Sequence, residues 1–505
     1  MLLQDTQAVA DRLSAVQTYG HFINNEWVEG NSGETIELSN PATRATLAHI
    51  QAGDAVDVDR AVNAAYAGLT KWAHSTPNER QALLLALADL LRKRQLDYAM
   101  LDTLNNGKTI GEALYHVEMA IGVYEYYAGA AFYKHGELLD FPDASVLVHR
   151  EPIGVVAAII PWNVALMFTA FKLAPAIAAG CTMVLKPAES VCVNVLEFFK
   201  DAADLLPPGL INVVTGYGQA VGEPLVSHPK VRKVTFTGSR GTARKIIQYA
   251  SSNIIPQTME LGGKSANIVC ADADLNAAAE SAVMTTIANK GEICLAGSRV
   301  FVHRSVRDEF LEKFVEQLGN VVQGNPIDPT VQLGAQASKI QFDRVNEYID
   351  LGRSEGAVAA AGGGPAKIAG LEDGLFIQPT IFTNVRNDMR IAQEEIFGPV
   401  TGVIEWDDEA DMIRQVNDSP YGLAGGVWTR NLTQAHRLSR AIETGTVYIN
   451  RYYNMKPGQP TGGYKQSGFG REYCLETLDH FTVTKSVVIN LEEGPIGFFQ
   501  ARPQG

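Results

Sequence analysis

Apolar positions in the first part of the chain recur at helical spacing. Between residues 54 and 72, Val58, Val62, Ala65, Leu69 and Trp72 fall on one face of a 3.6-residue repeat, which predicts a helix. Thr76-Pro77-Asn78-Glu79 reads as the start of a second helix. The threonine oxygen can hold a free amide of the first turn, the proline suits the first helical position, and the glutamate can reach back. Leucines carry this helix through Leu91, and a third helical stretch covers 111–132. Residues 20–27 alternate and predict an edge strand or hairpin.

From Gly154 the pattern changes. Apolar runs at 155–160, 182–185, 211–214 and 231–236 alternate with helical stretches, and 268–269 offers one more short run. Runs without a polar face predict strands buried on both sides, and this alternation predicts right-handed βαβ units around a parallel sheet. A second unit of the same kind follows, with strands expected at 300–302, 377–381, 426–429 and 447–450 and helices at 306–318 and 432–442. Residues 362–365 read as a loop. The expected fold class is α/β, with two parallel-sheet domains and a small β element. The expected division is 1–130 with 151–262, then 263–476, with 131–150 and 477–505 left for the β element and tail. Ligands of parallel sheets sit beyond the carboxyl ends of the strands. That singles out Pro161, Trp162 and Asn163, then Lys186 and Glu189, Gly216 to Gly218, and Phe236 with Gly238 and Ser239.

Length and charge narrow the field. At 505 residues the chain exceeds one ordinary domain. A net charge of −14 argues against nucleic acid and anionic membrane as partners. The five cysteines (Cys181, Cys192, Cys270, Cys294 and Cys474) show no CxxC spacing. That argues for a reducing compartment, with no disulfide framework and no zinc site. Residues 1–19 are polar and mixed in charge, unlike a secretory signal, and the longest apolar runs are broken by Pro and Gly. A cytoplasmic location is expected.

The chemistry concentrates between Glu260 and Arg299. The stretch opens Glu260-Leu261-Gly262-Gly263-Lys264-Ser265 and closes Gly291-Glu292-Ile293-Cys294-Leu295-Ala296-Gly297-Ser298-Arg299. A thiol becomes a nucleophile when a base or a local field removes its proton. A carboxylate in a partly dry pocket can serve as that base or can activate water. Glycines beside both let the backbone approach a ligand and leave amides free to donate. After a strand, a Lys and a Glu such as Lys186 and Glu189 can bond the hydroxyls of a ribose. Gly238-Ser239 stands between a strand and a helix, where free amides suit phosphate. Gly218 and Gly222 are weaker candidates for the same ligand.

These words together resemble the aldehyde dehydrogenase family. The resemblance rests on Glu-Leu-Gly-Gly-Lys-Ser, Gly-Glu-Ile-Cys, Lys-Pro-Ala-Glu-Ser at 186–190, Phe-Thr-Gly-Ser at 236–239 and Glu-Glu-Ile-Phe-Gly-Pro at 394–399. Tyr-Gly-Leu-Ala at 421–424 and Gly-Gly-Tyr-Lys at 462–465 add structural matches, and the likeness runs from about residue 20 to 489. It implies that Cys294 attacks an aldehyde, that Glu260 is the general base, and that Asn163 and the Cys294 amide hold the oxyanion. It implies cofactor contacts from Pro161, Trp162, Lys186, Glu189, Gly218, Gly222, Phe236, Gly238, Ser239, Leu261, Glu395 and Phe397. NAD is expected rather than NADP, because a free Glu189 repels a 2′-phosphate. No metal is implied. Glu260 argues against a relative that hands its acyl group to coenzyme A, and retention of Cys294, Glu260 and Asn163 argues against a catalytically dead binding protein.

Two departures bear on the substrate. Relatives often carry Phe where this chain has Val164 and again where it has Thr461. With Met167, Phe168, Phe171, Ile293, Leu295 and Met455 these positions are expected to line an apolar substrate funnel. That favours a medium-chain or aromatic aldehyde over acetaldehyde. Lys172 is left without a role, and Arg451 is the one cation that could alter the apolar character. Relatives pair through a terminal strand and a hairpin, for which 146–151 and 481–489 are the candidates, so a homodimer or homotetramer is expected.

Overall fold

A computed structural model describes residues 5–133, 136–494 and 498. Parts of the expected N-terminal segment and of the tail to 505 lie outside the described residues. Helix Ala55–Trp72 is capped by Asp54, whose carboxylate accepts from the Asp57 amide while Asp57 reaches back. Helix Pro77–Lys93 has the Thr76–Glu79 capping box with Pro77 at its start. A third capping box, Thr109 with Glu112, starts the long helix Ile110–Ala130. Between them lies Gln95–Asn106, a helix absent from the sequence reading.

The first large sheet has eight strands. Its parallel centre runs Gln257–Glu260, Val231–Thr237, Val155–Ile159, Thr182–Lys186 and Ile211–Val213. The hairpin His21–Ile23 with Glu26–Val28 closes one side, and the two-residue strand Gly468–Phe469 closes the other. Strand order reverses between Val155–Ile159 and Val231–Thr237, the switch point at which open α/β sheets bind ligands. The loops leaving those two strands carry Pro161 to Asn163 and Gly238 to Ser239.

The second sheet has seven strands, ordered Val358–Ala361, Thr380–Thr383, Val400–Trp406, Arg299–His303, Ala266–Val269, Ala424–Trp428 and Thr446–Ile449. All pairs are parallel except the first. The apolar run at 268–269 extends the second sheet and not the first, lying between Arg299–His303 and Ala424–Trp428. Two small three-stranded sheets complete the fold. One joins Gln17–Tyr19, Thr46–Gln51 and Thr35–Ser39 near the N-terminus. The other is an antiparallel meander in which Thr482–Asn490 pairs along the whole length of Ala144–Pro152, with Glu137–Asp140 beyond. Among the described residues no helix is long and apolar enough to cross a membrane.

Candidate active site

Cys294 follows a backbone segment of unusual shape. Asn289, Lys290 and Gly291 take φ values of 45°, 62° and 74°, three consecutive left-handed residues. Only glycine tolerates the third, since a Cβ on Gly291 would run into the Gly398 carbonyl. For Asn289 and Lys290 the conformation costs on the order of 1–3 kcal/mol each unless its surroundings fix it. They do. Glu112 accepts from the Asn289 amide. Lys290 is buried, pairs with the buried Glu292 at 2.9 Å, and donates to the Asn106 carbonyl at 3.0 Å and to the Asn106 side chain. Glu292 Oε1 accepts from the Ala337 amide at 3.0 Å.

Asn163 joins this loop to the first sheet. Its Nδ2 donates to the Glu292 carbonyl at 2.8 Å, and its own carbonyl accepts from Lys108 Nζ at 2.7 Å. One amide N–H is spent on the loop and the other is left for a ligand.

Glu260 ends the strand Gln257–Glu260, which the sequence reading did not find. The strand is held by Val231–Thr237 on one side and Gly468–Phe469 on the other. The Glu260 side chain is buried, and its Oε1 has no hydrogen-bond partner. Burial pushes its pKa well above the usual carboxylate range, and the nearby Glu472 adds to the rise, against a smaller opposing pull from Lys172 and Arg471. Lys172, fully buried, forms an ion pair with Glu472, which also accepts from Thr235 Oγ1 at 3.3 Å. The residue left without a role in the sequence therefore belongs to a charged pair behind the carboxylate.

Cys294 is only partly shielded as a residue, because it borders a cavity. Enough protein surrounds the sulfur for burial to push the thiol up to about 12, with Glu395 and Glu260 adding to the rise. Without a ligand the thiol is therefore protonated at neutral pH.

Cys294, Glu260 and Asn163 all line one cavity of about 930 Å³. The eight positions expected along the funnel, Val164, Met167, Phe168, Phe171, Ile293, Leu295, Met455 and Thr461, line it as well. Arg451 is also on its wall, exposed. The sequence reading missed Glu112, Tyr115, His116 and Met119, which the helix Ile110–Ala130 brings to the same space at i, i+3, i+4 and i+7. That spacing could have flagged one common face.

The remaining candidates surround the switch point. Lys186 is buried and donates to the Pro187 carbonyl at 2.9 Å, with Glu189 at 3.5 Å. Gly222 and Gly218 bound a π-helical turn, and a Cβ at Gly222 would lie 3.9 Å from Lys186 Cδ. Gly238 donates its amide to the Glu260 carbonyl at 3.0 Å, packed above the buried ring of Phe236. Ser239 caps the helix Arg240–Ala250, accepting from the Thr242 amide at 3.2 Å. Leu261 donates its amide to the Ser467 carbonyl at 2.9 Å. Glu395 reaches in from the second sheet's side, where its Oε1 accepts from the Gly263 amide at 2.9 Å; burial pushes its pKa up to about 7. Phe397, at φ 63°, sets its ring edge-on to Trp162 at 5.4 Å, and Trp162 follows Pro161 beyond the strand end. Phe397 thus meets the Trp162 that follows the first sheet's central strand, and Glu395 holds the Gly263 amide just beyond Leu261.

Comparison with known proteins identifies the family. The sequence profile described as "Aldehyde dehydrogenase family" matches residues 27–487. A protein of Deinococcus radiodurans named "Aldehyde dehydrogenase" is 40% identical over 489 residues, 95% of each chain. A "Probable aldehyde dehydrogenase" of Mycobacterium tuberculosis is 42% identical over 496 residues, 96% of this chain and 97% of that one. Among solved structures, the betaine aldehyde dehydrogenase of Staphylococcus aureus in complex with NAD+ superposes with a TM-score of 0.95 at 34% identity, covering 98% of this chain and 99% of that one. The NAD+ complex of an aldehyde dehydrogenase from Bacillus cereus gives 0.92 at 39% identity, covering 97% and 99%. The chain belongs to the aldehyde dehydrogenase family.

Proposed function

We propose that the protein oxidises a medium-chain or aromatic aldehyde to its carboxylic acid with NAD, through a covalent intermediate on Cys294. The observation that carries this reading is the single cavity that brings Cys294, Glu260 and Asn163 against a mostly apolar wall. The Cys294 thiol gives up its proton to solvent water, the thiolate adds to the carbonyl carbon, and the oxygen takes the negative charge. The free N–H of Asn163 and the Cys294 amide are the donors for that oxyanion. Loss of hydride turns the thiohemiacetal into a thioester, and NAD, when bound, supplies the hydride acceptor. Glu260 takes a proton from water, which attacks the thioester, releases the acid and restores the thiol. Its unpartnered Oε1 leaves it free for that task, and the Lys172–Glu472 pair influences how tightly it holds the proton.

The residues around the switch point suit a dinucleotide. Glu189 is partly exposed beside Lys186, a pair suited to ribose hydroxyls, and the free amides of the Arg240–Ala250 helix suit phosphate. Glu395 and Phe397 would, in this reading, hold the nicotinamide end of the cofactor. In this reading segments 1–130 and 151–262 hold the cofactor, 263–476 carries the nucleophile, and 131–150 with 477–505 serves assembly. On that last sheet Val483, Val487, Val488 and Ile489 are exposed, as is Leu138. A displayed apolar edge favours pairing with a second copy, as a dimer or a dimer of dimers.

Two of the positions where relatives often carry Phe hold Val164 and Thr461, so the cavity has room for a chain or a ring. Each buried methylene adds about 0.8 kcal/mol of binding. The test is NADH absorbance with acetaldehyde, hexanal and a phenyl-bearing aldehyde. Higher kcat/KM for the last two supports the reading. A clear preference for acetaldehyde overturns the substrate assignment, and no NADH with any aldehyde overturns the function.

A further inference from the structure

The proposed chemistry leaves one cavity wall unused. It belongs to the helix Ile110–Ala130. There Glu112 spends both carboxylate oxygens inside the protein: one accepts from the Asn289 amide, the other from the Thr109 amide at 3.3 Å and its hydroxyl at 3.1 Å. His116 is different. Its Nδ1 lies 3.3 Å from Lys108 Nζ. That ammonium is fully buried and has two further acceptors, Asp102 Oδ2 at 2.8 Å and the Asn163 carbonyl at 2.7 Å.

An ammonium carries three protons and no lone pair. Three acceptors use it up, so Nδ1 of His116 must accept. The ring proton then sits on Nε2, and the imidazole is neutral. Burial, together with the positive charges of Lys108 and Lys290, holds the His116 pKa well below its ordinary value, in the same direction as the neutral ring that the hydrogen-bond geometry requires. Nε2 makes no hydrogen bond among the described residues, and it is not among the atoms sealed from solvent without a partner. The Tyr453 hydroxyl on the same cavity is buried and also lacks a partner. The cavity therefore holds unspent hydrogen-bonding groups in a mostly apolar wall.

We infer that His116 is a specificity-determining residue whose Nε2–H donates to an ether, hydroxyl or carbonyl oxygen on the tail of the aldehyde held at Cys294. This rests on the function proposed above and narrows its substrate class to aldehydes with an acceptor oxygen away from the reacting carbon. A tail without such an oxygen strips water from the donor and returns nothing, the condition under which binding sites discriminate best. Lys108 fixes the geometry from behind, because the same ammonium that orients His116 also holds the backbone of Asn163. The donor and the oxyanion group are thus set by one buried charge.

The experiment uses pairs of nearly equal shape. The wild-type enzyme is assayed with NAD on 3-methoxybenzaldehyde against 3-ethylbenzaldehyde, and on the two 4-substituted counterparts. The methoxy oxygen accepts and cannot donate. The expected result is a kcat/KM ratio favouring the methoxy member of at least one pair by about tenfold. In His116→Leu that ratio collapses towards one. In His116→Gln, which keeps a side-chain N–H, part of it survives. Equal rates within both wild-type pairs overturn the inference, as does a ratio retained in His116→Leu. If the leucine variant fails to fold, the wild-type ratios and the glutamine variant decide. Oxidation of ethyl- and methoxybenzaldehydes without discrimination leaves the proposed function standing and removes only the role of His116. Failure to oxidise any member removes the role of His116, and the proposed function falls with it only if hexanal and acetaldehyde are refused as well.

Discussion

The nucleophile and the carboxylate are held in opposite ways. Cys294 follows a loop of three left-handed residues, fixed by buried ions: Lys290 on Glu292 and Asn106, and Glu112 on the Asn289 amide. Glu260 ends a strand whose backbone is paired on both sides, yet its side chain keeps an oxygen with no partner. One residue follows a loop whose own side chains and amides are tied down, and the other has a paired backbone and an uncommitted tip. The difference suits the tasks. A thiol that attacks must stand at one point relative to the oxyanion donors, whereas a base that must reach a water gains from being unattached.

Removing the attacking atom should break the comparison most completely. Cys294→Ala is expected to lower turnover by at least about 10⁴-fold, while NAD binding measured by fluorescence persists. Loss of any of the other four cysteines should not do this. Substantial turnover in the alanine variant would end the covalent mechanism. Next in size, Glu260→Gln should slow release of the acid by about 10²–10⁴-fold and hydride transfer much less. Stopped-flow absorbance should show a burst of NADH and then a stall; equal slowing of both phases would give Glu260 another role.

Lys290→Met sharpens the contrast by attacking the rigid side alone. It leaves Glu292 buried without its cation, since both side chains are fully buried. Such a break typically costs about 3–5 kcal/mol, readable as a lower urea midpoint. A midpoint equal to wild type would mean that the ion pair does not hold the loop. The smallest effect is one of pH. The Cys294 thiol of the NAD-free protein is pushed up to about 12, so the thiolate fraction should rise as pH rises. Alkylation by iodoacetamide should accelerate about tenfold per pH unit between 7 and 9. A plateau below pH 8 would mean that the thiol is activated before the cofactor binds.

Local signals in the chain were read well where chemistry and structure coincide. The Thr76 capping box and the one-faced helix over 55–72 form as their residues dictate. The eight funnel positions come from three separate stretches and still share one cavity. Where the outcome depends on a distant partner, the sequence is silent. The helix Gln95–Asn106 begins at Arg94 with no side-chain cap, and Tyr98 to Asn106 are all buried, so no polar face sets its period. The short strand at 266–269 carries no mark of which sheet it joins. The strand Gln257–Glu260 is only four residues long and is paired on both sides by other strands. Lys172 and Glu472 are 300 residues apart, and only the fold makes them one charged pair. His116 is an ordinary helical histidine until Lys108 is placed behind it.

The strand that seals Glu260 comes very late in the chain. Gly468 pairs with Glu260 at φ 124°, where any Cβ would strike the Met259 carbonyl, and Ser467 binds the backbone at Leu261 and Gly262. At ordinary ribosomal speeds the intervening stretch takes roughly 10–40 s to synthesise. Throughout that time the parallel sheet has all its central strands but one bare margin, with unpaired amides beside the future base. A nascent chain in this condition is a target for chaperones and for strand-to-strand aggregation. Truncations that stop short of residue 467 should therefore be found among insoluble products, even though every cysteine but one, and every proposed catalytic group, has already been translated.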